Sequence, residues 1–193
     1  MKKITSWLSI LLLTGILAAC NTTTGSENTS SEQPPDTEVS ETTSGNTSET
    51  LEGTLVESDS QNYSITVVDG FELTGEEPNK DMLMYTANNQ QSMRIETFDI
   101  SEVNISDITS DVLAGIEASN EQEEAVEITD EVLLPSGEGI VDVKGFQIKT
   151  NDGNVSGYAY EKGDLIVKLT IFDLTKEPLT KTFIQMAETI SSK

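Results

Sequence analysis

No histidine occurs anywhere in the 193 residues, and only one cysteine, Cys20. The first absence removes the usual general base at neutral pH and the commonest metal ligand. It excludes Ser-His-Asp and Cys-His catalysis outright. The second means that no intramolecular disulfide can form, so any folded domain stands on its hydrophobic core alone. Positive charge is scarce too. Eleven basic residues face 34 acidic ones, a formal net charge of −23. A surface that negative repels nucleic acid and anionic headgroups and tolerates cationic partners. Its plainest consequence is solubility through self-repulsion. Tryptophan is limited to Trp7.

What is present begins at the N-terminus. Lys2 and Lys3 form a short positive region. Trp7, Leu8 and the run Ile10 to Leu17 are largely apolar, and too short to span a bilayer well. The run ends in Leu17-Ala18-Ala19-Cys20. Small residues before a cysteine let a peptidase approach the backbone, and the thiol is the group that can take a lipid. The four residues resemble the lipobox of bacterial lipoproteins. That resemblance implies a signal peptide over residues 1–19, diacylglycerol transfer to the Cys20 sulfur, and cleavage between Ala19 and Cys20. Two acyl chains anchor a protein stably where one does not. The expected location is the extracytoplasmic face of a cell membrane. The long polar stretch that follows points to a Gram-positive envelope.

Residues 20–52 are that stretch. Beyond Cys20 they are rich in Asn, Thr, Ser, Gly and Glu, with Pro34-Pro35, seven acids and no base. Such a segment cannot bury enough surface to offset its ordering entropy, and is expected to be a disordered tether. A flexible coil of that length spans roughly 30 Å.

Residues 53–193 read as one α+β domain. Leu55-Val56 is a short lead-in strand. Tyr63 to Val67 alternates apolar and polar residues, as a half-buried strand does. Asp69-Gly70 is turn chemistry, and Phe71 and Leu73 alternate after it. Glu76 to Lys80 reads as a loop. Met82–Thr86 and Ser92–Phe98 read as a hairpin. Ile105, Ile108, Val112 and Ile116 recur at helical spacing, with Asn104 or Ser106 as cap and Asp107 and Asp111 near the N-terminus, where anions are favoured. Ala125–Leu134 reads as a strand ended by Pro135. Ile140–Thr150 and Asn154–Glu161 flank Asn151-Asp152-Gly153, read as a type I′ turn. Lys162-Gly163 leads into Leu165–Phe172. The last helix carries Leu179, Phe183, Met186 and Ile190 as its stripe, with Thr175 as cap and Pro178 in its first turn. Three strands, a helix, four strands and a helix indicate a mainly antiparallel sheet of about seven strands with two main helices.

This order resembles the Mog1/PsbP-like fold, in which helices pack on a curved antiparallel sheet. Tyr63-Ser64-Ile65-Thr66-Val67-Val68-Asp69-Gly70-Phe71 looks like the opening hairpin of secreted PsbP-like domains, although those often carry Pro where Val68 stands. Phe183 to Ile190 is similar to their closing helix. The resemblance implies a binding or assembly module and supplies no catalytic residue.

Several groups invite a chemical reading beside a plainer one. Glu121, Glu123, Glu124 and Glu127 are hard oxygen ligands, yet lack the alternation and glycine of a calcium loop; a solvated acidic loop accounts for them. Asn151 to Asn154 carry oxygen ligands, and a hairpin turn accounts for those. Met82, Met84 and Met93 are a thioether set for Cu(I) or ordinary core filler. Arg94 can hold a carboxylate or phosphate ligand, or pair with an acid across strands. Tyr158 and Tyr160 share a face or oppose each other, depending on a bulge at Gly157. Two carboxylates can hydrolyse a glycoside, but the domain lacks Trp to line a sugar cleft. The reading is therefore a membrane-anchored, non-catalytic module with no cofactor and no metal. Its partners are the membrane, through lipid on Cys20, and a protein of unknown identity, not nucleic acid. The alternatives are an envelope enzyme accessory and a divalent-cation-binding lipoprotein.

Overall fold

A computed structural model describes residues 51–174 and 176–193. The expected signal peptide, the lipobox from Leu17 to Cys20, nearly all of the tether and the proposed cap Thr175 lie outside them. The elements run β1 (Thr54–Glu57), β2 (Tyr63–Val67), β3 (Phe71–Glu77), β4 (Lys80–Tyr85), β5 (Ser92–Asp99), α1 (Ile105–Glu117), β6 (Val126–Glu127), β7 (Ile140–Lys149), β8 (Gly153–Lys162), β9 (Leu165–Leu174), α2 (Thr180–Ala187) and β10 (Ser191–Ser192).

The main sheet has seven strands in the order β3-β4-β5-β9-β8-β7-β6, and every pairing is antiparallel. It is two meanders joined by the pairing of β5 with β9, from Ser92↔Phe172 to Asp99↔Leu165. The α+β class with a mainly antiparallel sheet and two helices is thus observed. A smaller sheet, β1-β2-β10, was not legible in advance. Ser191 and Ser192 pair with Ser64 and Tyr63, a contact too short and polar to show in a hydropathy pattern.

The period of two places the core. On β9, Leu165, Val167, Leu169 and Ile171 face one side, where they meet Tyr63, Ile65, Phe183, Met186 and Ile190 from β2 and the α2 region. Ile166 faces the other side, with Val155 and Ala159, and meets Ile108, Val112 and Ile116 of α1. One sheet therefore carries α1 on one face and α2 with the small sheet on the other. Gly157 lets α1 come close. A Cβ there would lie 2.7 Å from Val112 Cγ1 and 2.8 Å from Ile116 Cγ1, nearer than atoms pack.

Five expectations are corrected. The Glu76–Lys80 loop is a tight turn, with β3 running to Glu77; Pro78 and Asn79 form the corner, Asn79 at φ 63°. The strand expected over Ala125–Leu134 shrinks to Val126–Glu127, because Asp130 accepts from Val132 N and turns Glu131–Leu133 into a 3-10 helix. The loop at Asn151-Asp152 is not type I′, since neither residue has positive φ; Thr150 closes it by exchanging bonds with Gly153. The Val68–Phe71 turn, with Gly70 at φ 87°, passes the chain from the small sheet to the large one instead of closing a hairpin. Pro178 lies just before α2, not in its first turn, and Asp173 caps that helix from the end of β9. Its Oδ2 accepts from Leu179 N, Thr180 N and Thr180 Oγ1 at 2.6–2.8 Å. At the other end of α2, Tyr160 donates to Ala187 O at 3.0 Å and Lys162 Nζ donates to Glu188 O. A cation there suits the negative end of the helix dipole.

Candidate functional site

α1 begins at Asn104, whose Oδ1 accepts from Ser106 N at 2.8 Å. Asp107 sits in the first turn, and the buried stripe Ile108, Val112, Ile116 lies on β8 and its neighbours. The helix covers the β7–β9 side of its face and leaves β3, β4 and most of β5 uncovered. Between α1 and the strands β5 and β9 lies an open groove of about 700 Å³. Phe98 and Val103, both half-buried, and buried Ile108 give it apolar surface; Glu102, Asp107 and Asp111 stand exposed on its rim.

Inside the groove Lys168 Nζ lies 3.2 Å from Glu96 Oε1, with side chains 21% and 14% exposed. That pair continues a charged row across the uncovered face. Arg94 holds Glu76 with two bonds, Nε to Oε2 at 2.7 Å and Nη2 to Oε1 at 2.9 Å, and Lys80 reaches Glu77 at 2.8 Å. The Lys80 ammonium holds the Glu77 carboxyl below its ordinary range. Near the groove, Asp99 is lowered by bonds from the Ser101 hydroxyl and backbone N–H. The groove thus combines apolar surface with carboxylates fixed by α1 and the turn before it.

The sequence-derived candidates disperse. Glu121, Glu123 and Glu124 are exposed, and Glu127 turns to Lys144 at 2.7 Å. Among the described residues no three acids, histidines or cysteines converge to hold a metal. Met93 is fully buried opposite Leu83, whereas Met82 pairs with Arg94 on the other face and Met84 lies on Met82's side. The sheet therefore separates the three methionines, and the copper reading fails. Arg94 makes the cross-strand ion pair. Tyr158 and Tyr160 share the core face, both fully buried. Burial pushes Tyr158 up to about 12, and its hydroxyl has no hydrogen-bond partner among the described residues.

A buried polar cluster had no sequence signal. Asp81, 1% exposed, accepts from Gln61 Nε2 at 2.7 Å and Tyr63 OH at 2.8 Å. Gln61 Oε1 in turn accepts from Thr97 N at 2.8 Å. Burial, then the bond to Asp81, drives Tyr63 far above the usual phenol range. The cluster ties the segment before β2 to β4 and β5. It is a structural lock, since its polar atoms face one another inside the core.

Among the described residues no helix is long and apolar enough to cross a membrane. No protein-family description matches the chain, and no curated protein matches it. The chain is similar in structure to the solution structure of cyanobacterial PsbP (CyanoP) from Synechocystis, at 12% identity and a TM-score of 0.48, over 78% of this chain and 99% of that one. It is also similar to a crystal structure from Bacteroides thetaiotaomicron, at 9% identity and a TM-score of 0.42, over 74% of this chain. There it spans about half of the other protein's length, 49%.

Proposed function

We propose that this protein is a lipoprotein held at the extracytoplasmic face of a cell membrane by lipid on Cys20, and that its domain is a non-catalytic binding or assembly module. The observation that carries the anchor is the tetrad Leu17-Ala18-Ala19-Cys20, in which the sole cysteine of the chain stands behind an apolar run and two lysines. Residues 21–52 then act as a spacer that lifts the domain off the membrane. What supports a binding role is the groove beside α1, an open surface with apolar and acidic parts next to an uncovered sheet face. The absence of histidine from the sequence removes the catalytic sets that depend on it.

The test is fractionation of cells producing the Cys20→Ala variant beside the unaltered protein. Release of the variant from membranes, with loss of label from a radioactive fatty acid, is the expected result. Retention of the variant in the membrane fraction overturns the anchor.

A further inference from the structure

Resting on the reading of the domain as a binding module, we propose that the groove between α1 and strands β5 and β9 docks an amphipathic segment of a protein partner that bears lysine or arginine. Three observations point to that occupant. The first is apolar surface left accessible. Phe98 and Val103 are only half-buried, and among the described residues no helix lies on the sheet face next to them. The second is charge complementarity. Glu102, Asp107 and Asp111 are exposed along the rim and form no ion pair among the described residues. Lys168, the one basic residue among those lining the groove, is already paired with Glu96, and Lys80, Arg94 and Lys144 are paired with acids outside it. Among the described residues, then, no cation pairs with the rim acids Glu102, Asp107 and Asp111, and a partner is a natural source of one.

The third observation shows how such a cation beds. Lys168 lies in the groove with its side chain mostly covered and its ammonium 3.2 Å from the Glu96 carboxylate. A lysine stem can lie on apolar surface while its head stays on a carboxylate. A partner's lysine or arginine stems laid over Phe98 and Val103 repeat that arrangement and place their heads at Glu102, Asp107 and Asp111. The groove is open along its length, which suits an extended or helical segment better than an enclosed small molecule. The field of a chain at −23 speeds encounter with a cationic segment and turns away anionic ones.

The experiment uses the full-length protein in non-ionic detergent. The probe is a 14-residue synthetic peptide of lysine, leucine and alanine with its leucines on one face. Its binding is read by fluorescence anisotropy. A first triple variant carries Glu102→Gln, Asp107→Asn and Asp111→Asn. A second carries Glu121→Gln, Glu123→Gln and Glu124→Gln, which removes the same charge from the loop beyond the other end of α1. Three exposed ion pairs together correspond to about a tenfold loss of affinity, so the first variant is expected to bind about tenfold more weakly and the second nearly as tightly as the parent. An oligolysine of the same length, with no apolar face, is expected to bind more weakly than the amphipathic peptide. Equal losses in both triple variants reduce the effect to net charge and overturn the proposal. Equal binding of oligolysine removes the apolar part and overturns it as well, as does the absence of binding by either peptide. None of these outcomes touches the anchor, which stands or falls on membrane retention of the Cys20→Ala variant.

Discussion

Replacing Asp173 by alanine is expected to weaken the domain by about 2–3 kcal/mol, although the residue lies outside the groove beside α1. Asp173 is 5% exposed. Among the described residues its Oδ2 takes three donors at the start of α2, and its Oδ1 takes Gln91 Nε2 at 2.7 Å. Loss of a capping side chain costs about 1 kcal/mol, with a range of about 0.5–2. Gln91, 2% exposed, keeps its bond to Glu177 O at 2.8 Å but loses its second acceptor, which adds about 1 kcal/mol at the low end of the range for a stranded donor. Against a domain stability of about 5–15 kcal/mol the change is large. With a urea slope of about 2 kcal/mol per molar, the unfolding midpoint should fall by about 1–1.5 M. Circular dichroism in a urea series measures it. Asparagine is not a mild substitute here. Its amide must turn a donor toward either the helix N–H groups or the Gln91 amide, so Asp173→Asn should cost nearly as much as alanine. A midpoint for Asp173→Asn within about 0.3 M of the parent, less than about 1 kcal/mol at that slope, refutes the assignment of both carboxylate oxygens.

Gly157→Ala should destabilise by about 1–3 kcal/mol through overpacking against Val112 and Ile116; combining it with Ile116→Val should recover part of that in a double-mutant cycle, and purely additive losses would contradict the packing of α1 on β8. Three of the four tyrosines are buried with raised pKa, so their neutral form is the one the fold favours. The unfolded chain ionises them near pH 10. Stability should therefore be full below that pH and fall as pH rises above it, with the rise in absorbance at 295 nm arriving mostly together with unfolding. A smooth titration of all four with the far-ultraviolet signal intact would show those cores to be open. Arg94→Met should change stability by only about 0–1 kcal/mol, because its pair with Glu76 is partly exposed; a larger loss in a thermal melt would mean that the charged row carries structural weight.

Much of the fold could be read from local pattern. The alternation Leu165, Val167, Leu169, Ile171 named its own buried face, and Ile108, Val112, Ile116 named the inner stripe of α1. Asn104 was visible as a cap because a cap acts two residues along the chain. Asp173 was not, because it stands six residues before Leu179 at the end of a strand. The Ala125–Leu134 segment misled because its apolar residues suited a strand, while Asp130 offered the backbone a turn instead. The groove was half visible. Asp107 and Asp111 read as helix-dipole partners, which needs only sequence, but their place beside Glu96 and Lys168 depends on the Glu96↔Lys168 register between β5 and β9. No local pattern encodes a pairing across that separation. The same holds for Asp81, whose partners Gln61, Tyr63 and Ser60 come from about twenty residues away.

The joining of the two meanders also sets when the domain can exist. Strand β5, the inner edge of the β3-β4-β5 ribbon, has no neighbour on that side until β9 arrives, and β2 lacks one of its two neighbours until β10 does. A chain emerging N-terminus first therefore reaches Asp99 with a three-stranded ribbon whose inner edge is still bare. Only when Leu165 to Leu174 has appeared can the strands made first and the strands made last share a core. Pairings this distant form slowly, since the loop must close before any contact rewards it. The sheet therefore cannot be completed until the last third of the domain has emerged.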